Sequence, residues 1–194
     1  LKEKSIMLSL AGLNLRKKRK KETLLLKRSS KVQRYFWSGA LMNYEDFIAE
    51  YLKKGLLQRQ TTDWRAIKAS MERSQKDLQT ARLNLSIDEG IAFTVAYLAM
   101  LRAARAYMLS KGFRPSDGYQ HKTVIEFIEH SLGQRSKQLI LRFDRMRRKR
   151  NIFTYEIGSP ISKTEAESAL RTATEFIELI NKLLRSDDPQ FNLD

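Results

Sequence analysis

Arg150 stands where an arginine is costly. Leu139, Phe143, Met146, Arg150 and Phe153 recur at helical spacing. At about 100° per residue they fall within an arc of about 80° on one helix face. The other four are apolar, so Arg150 interrupts a greasy ridge. A guanidinium does not lose its proton, and burying it unpaired costs several kcal/mol. It needs a carboxylate, a carbonyl, a phosphate or a groove open to water. Two readings stay open from the residues alone. In the structural one, Arg150 closes a buried ion pair or snorkels from the helix end. In the functional one, it binds phosphate or takes part in catalysis in an interface cleft. Arg145, Arg148 and Lys149 fall on the opposite side of the helix and Arg147 on its flank. Arg147, Arg148 and Lys149 are candidates for nucleic-acid contact, although such a cluster also serves as a solvated face.

Asn151 follows directly, and Tyr155 closes the segment. A phenol with a pKa near 10 is a poor proton shuttle at neutral pH but a good hydrogen-bond donor and stacking surface. Tyr155 therefore reads either as a structural residue at the end of its helix or as a contact to RNA or a nucleotide. The two histidines of the chain, His121 and His130, read as ordinary surface or half-buried residues; His130, near a helix C-terminus, gains from the helix dipole when protonated. Other chemistry finds no support. Cysteine is absent and only two histidines are present, so thiolate chemistry is excluded and a zinc site is not expected. There is no Gly-rich phosphate loop, G-x-S-x-G or H-E-x-x-H, and no cofactor is expected. The acidic pairs Asp88-Glu89 and Asp187-Asp188 fit capping and solvation.

The elements that position these residues are helical. Residues 63–85 carry Ile67, Met71, Ser74, Leu78, Ala81 and Leu85 on one stripe. Ser86 and Glu89 match a capping box, which predicts a new helix running to about Lys111. Ala92, Ala96, Ala99, Ala103 and Ala106 share one of its faces, so a neighbour can approach closely. Gly112 ends it. Shorter helices are predicted over 44–57, capped by Asn43, and over 118–132, ended by Gly133. The Arg150 helix spans about 134–153. Ser162 and Glu165 form a second capping box for a last helix, about 163–185, with Ala166, Leu170, Ala173, Ile177, Ile180 and Leu184 on one stripe. No strand signal appears. Helices of this length with short loops predict an all-α, up-and-down four- to five-helix bundle. The helices within 63–186 form its body, 42–62 adds a short helix and a linker, and 187–194 is a polar tail.

The net charge of +15 is uneven: residues 1–41 hold 12 Lys/Arg and 2 Asp/Glu, a net of +10, including the block Arg16–Lys21. That stretch reads as a basic, flexible extension or as sequence upstream of the natural start, and a basic arm is drawn to polyanions in a salt-dependent way. The longest apolar run, Ile91 to Leu101, falls short of the roughly 18 residues of a membrane span. No membrane association and a cytoplasmic location are expected.

Taken in order, "AYLAMLRAARAYMLSKGFRP", "HKTVIEFIEHSLG", "FDRMRRKRNIFTYE" and "AESALRTATEFIELI" resemble the HEPN superfamily over about residues 63–185. Its signature is an Arg near the end of the penultimate helix, commonly followed by Asn, with a His four to six residues on. The resemblance implies a HEPN-like bundle, often a metal-independent RNase. In such enzymes two protomers face each other, the Arg holds the scissile phosphate, and the His performs acid–base cleavage with the RNA 2′-hydroxyl. It implies a homodimer, an RNA or nucleotide ligand, and a toxin–antitoxin or defence setting with a minimal nucleotidyltransferase antitoxin as a possible partner. Carried over by position, Arg150 is the phosphate-binding Arg, Asn151 its polar neighbour, and Tyr155 stands in the place of the His. No His follows His130. A catalytically impaired relative is therefore expected alongside an active RNase. A motif Tyr is adenylylated by the partner nucleotidyltransferase in some family members, where it follows a His. Two further readings stay open: a non-enzymatic helical interaction module, and a basic nucleic-acid-binding regulator acting through the N-terminal arm.

Overall fold

Four side chains set where helices begin. Asn43 accepts from the backbone N–H of Asp46, Asp63 from Arg65 and Ala66, Asp88 from Ile91, and Ser162 from Glu165. Each satisfies N–H groups that a helix leaves orphaned at its first turn. A computed structural model describes residues 42–116, 120–155 and 160–193. The expectations for residues 1–41 lie outside the described residues. The unit that carries the fold is Asn43–Asp194. Its helices are α1 (Tyr44–Lys53), α2 (Trp64–Asn84), α3 (Glu89–Ser110), α4 (Gln120–Leu132), α5 (Lys137–Tyr155, entered through a 3-10 turn at Gln134–Ser136) and α6 (Lys163–Asp187). The architecture is an all-α helical bundle.

Two local expectations are corrected. The helix expected from Ser86 starts instead after Asp88, whose carboxylate accepts from Ile91 at 2.8 Å. An ionised carboxylate at a helix N-terminus also meets the dipole favourably, an advantage Ser86 lacks. The second box is as expected: Ser162 Oγ accepts from Glu165 N–H, and Ser162 N–H donates to Glu165 Oε2. The first helix stops at Lys53, and two three-residue strands follow, β1 (Leu57–Arg59) and β2 (Phe113–Pro115), paired antiparallel with Leu57 opposite Pro115. Three residues are too few to show alternation, so the ribbon is set by tertiary packing of Leu57 and Phe113, both buried.

The center of the bundle is α3, which packs most extensively on α2 and α6. Its alanines 92, 96, 99, 103 and 106 are at most 1 % exposed, and Ser74 of α2 donates to the Ala99 carbonyl at 2.7 Å. Small side chains at this spacing let the three backbones approach. Asp77, also buried on α2, accepts from Arg73 at 2.9 Å and from Arg102 of α3 at 2.6 Å. The stripe of α6 faces inward as its spacing requires. The tail read as polar also seats Phe191, buried with its ring 5.8 Å from Trp64. Among the described residues no helix is long and apolar enough to cross a membrane.

Candidate functional site

The inward face of α5 is built as its spacing dictates up to one residue. Leu139, Phe143 and Met146 are buried. Phe143 meets Tyr97 of α3 at 5.7 Å and Phe176 of α6 at 5.1 Å between ring centroids, which ties α5 to both neighbours. Phe153, one turn beyond Arg150, lies on Gly90 at the start of α3. A Cβ there would stand 2.3 Å from the Phe153 ring, so the glycine makes room for the aromatic end of α5.

Arg150 is half-buried between these contacts. Its Nε is closed off from water and has no hydrogen-bond partner, and Nη1 donates to Asn151 Oδ1 at a long 3.4 Å. Among the described residues no carboxylate pairs with it, so they provide no support for the buried-ion-pair reading. The other cations of the helix differ. Arg147 donates from Nε to Asp144 at 2.8 Å, and Arg148, mostly exposed, reaches the second oxygen of the same carboxylate at 2.7 Å. Lys149 pairs with Glu165 at 3.1 Å and, with Arg145, Phe93 and Met146, lines a groove of about 370 Å³ on the α6 side. The structure thus turns Lys149 toward α6 and joins Arg147 and Arg148 on one carboxylate, while Arg150 has none among the described residues. Tyr155 ends α5, and its side chain lies outside the described residues.

Three residues that the spacing did not bring to this place are beside it. Tyr97 Oη and His121 Nδ1 are hydrogen-bonded at 2.9 Å. Arg105, two turns along α3 from Tyr97, donates to Gln120 Oε1 at 2.6 Å, and its Nε too is buried without a partner. Arg105 could have been found by the argument used for Arg150, since it is a guanidinium inside the apolar run of an Ala-rich helix. Burial raises the Tyr97 pKa well above its ordinary value despite the opposing fields of Arg147, Arg150 and Arg105. Burial also lowers the His121 pKa, and Arg105, Arg150 and Arg147 lower it further. His130 is elsewhere, stacked on Phe47 at 4.3 Å.

A pH dependence follows from His121. The folded chain resists protonating it, whereas the unfolded chain takes the proton at the ordinary imidazole value of about 6.5. Stability is therefore complete above about pH 6.5 and declines as pH falls toward the lowered value. Water reaches the half-buried ring, which limits the loss. Glu129 acts with the opposite sign, because burial raises its carboxyl. Urea unfolding at pH 7.5 and 5.5 should show a smaller acid loss in His121→Gln than in the parent; an equal loss would refute the assignment.

No curated protein matches the chain. The HEPN domain model matches residues 67–183, more than half of its length, and the chain belongs to the HEPN family.

Proposed function

We propose that the protein is an RNA- or nucleotide-associated HEPN protein of a prokaryotic toxin–antitoxin or defence system, acting as a homodimer, with a minimal nucleotidyltransferase as its antitoxin partner. Arg150 is its phosphate-binding residue and Asn151 and Tyr155 lie with it at the cleft between protomers. The observation that carries the reading is Arg150 itself: a half-buried guanidinium with an orphaned Nε and no carboxylate beside it among the described residues. Such a group is held at a cost unless an anion meets it. Exposed Ile87, Ile91, Ile152 and Phe153 lie within three residues along the chain of the Phe153–Gly90 contact and support a protein–protein surface there. Binding without turnover is favoured over an active RNase, because a Tyr replaces the His of the motif.

The test is incubation of the full chain with RNA in chelator, with binding and cleavage both read. RNA binding at low salt is expected, weakened about tenfold in Arg150→Ala and much less in Arg145→Ala. Cleavage that disappears in Arg150→Ala would establish the RNase form of the reading. Binding and cleavage unchanged in Arg150→Ala would sink the site. Loss of all binding on deleting residues 1–41 would favour the arm-borne regulator.

A further inference from the structure

Among the described residues around the Tyr97–His121 pair, positive charge exceeds the acid available to balance it. Arg105 of α3 bonds Gln120, the residue before His121, and Tyr97 packs on Phe143, one turn from Arg147 on α5; the fields of Arg105, Arg147 and Arg150 reach the pair. Among the described residues the carboxylate in this neighbourhood is Asp144, and it is already shared between Arg147 and Arg148. Gln120 of α4 takes a hydrogen bond from Arg105 but offers no charge. Two of the three guanidiniums, Arg105 and Arg150, each have a desolvated Nε with no partner. All three side chains and His121 are only half-buried, so part of each remains open to water. A charge cluster of this kind is unfavourable in the empty protein and favourable around an anion.

We propose that Tyr97, Arg105, His121, Arg147 and Arg150 form, within one protomer, a binding pocket for the phosphate group of a ribonucleotide. Only the ribonucleotide part rests on the function proposed above; the phosphate part stands on the cluster. Tyr97 keeps its proton and can donate to His121 Nδ1. The neutral ring then carries its own proton on Nε2, as a donor for a phosphate oxygen. Arriving negative charge offsets the three guanidiniums, so the imidazole becomes easier to protonate. Binding therefore takes up a proton and tightens as pH falls through the His121 range.

The chain has two histidines, so proton NMR of the imidazole signals reads the site directly. The full-length protein is titrated with inorganic phosphate, with AMP and with a short oligouridylate lacking terminal phosphates, at constant ionic strength set with chloride. Phosphate is expected to move the His121 signals and raise the pKa they report, while those of His130 stay in place. A response to the oligouridylate assigns the pocket to a backbone phosphodiester; a response to AMP and phosphate alone assigns it to a terminal phosphate. Arg105→Gln and Arg150→Gln should each weaken the response about tenfold, and Arg145→Gln, the same charge loss on an exposed part of α5, less than about threefold. His121 signals indifferent to all three ligands would overturn the pocket, as would an Arg145→Gln effect equal to the other two. If Arg105→Gln fails to fold, as circular dichroism would show, the parent's response to phosphate against chloride decides. A phosphate response without RNA binding keeps the pocket and removes the RNA reading. RNA binding lost in Arg150→Ala with His121 silent does the reverse.

Discussion

Phe143→Ala is expected to destabilise the bundle by about 3–5 kcal/mol, the range for truncating a fully buried aromatic side chain. Phe143 is 0 % exposed and stands between Tyr97 and Phe176, so its ring holds three helices at one level. Part of the loss is the cavity, which α3 cannot close by moving, because its alanine face is already in contact with α2 and α6. Part is the tilted contact of its ring with Tyr97 and Phe176, worth about 0.5–1.5 kcal/mol beyond area. Phe143→Leu, which keeps most of the volume, should cost about 1–2 kcal/mol. Urea unfolding checks both, through midpoints that fall at unchanged slope. The effect should reach the site as well. Tyr97 loses its packing partner, and its hold on His121 loosens, so the His121 pKa should move back toward the ordinary imidazole value. A loss under about 1 kcal/mol for Phe143→Ala would mean that these three rings do not form the packed center described.

How far the sequence predicts this arrangement depends on the range of the interaction. The stripe of α6 and its box at Ser162 and Glu165 are legible because one helix's own spacing specifies them. The alanine face of α3 is legible for the same reason. The start of α3 is not, since Ser86 and Asp88 are both acceptable caps three residues from a donor, and the choice falls to the charge that local patterning ignores. The β1–β2 ribbon is invisible because Leu57 and Phe113 are 56 residues apart and each strand is too short to show a period. The site divides along the same line. Arg150 announces itself by interrupting a ridge within its own helix. Tyr97 reads as core, which it also is, and His121 as an unremarkable half-buried histidine. They lie 24 residues apart on two helices, and neither residue breaks a local rule.

Asp144→Ala should cost about 2–3 kcal/mol of stability while making the protein a better receiver of anions. The carboxylate is buried and accepts from Arg147 and Arg148 at once. Removing one partner of a buried pair costs about 3–5 kcal/mol when the charge left behind is trapped. Here the cost is lower, because Arg148 is mostly exposed and regains water, leaving Arg147 as the stranded charge. Arg147 would then stand unpaired beside Arg150 and Arg105, and the field that lowers the His121 pKa would grow. Asp144→Asn keeps an acceptor and should lose about half as much. Both variants raise the local charge by one unit, so inorganic phosphate should bind them severalfold more tightly than the parent if the pocket is as proposed. Bound ligand stabilises in proportion to the logarithm of its concentration over Kd. The two effects therefore separate in one measurement. In chloride both variants melt below the parent, Asp144→Ala the lower of the two. On adding phosphate at equal ionic strength each should recover more degrees than the parent gains. Variants that melt lower and recover no more than the parent would show that Asp144 serves the bundle alone, with no anion site beside it.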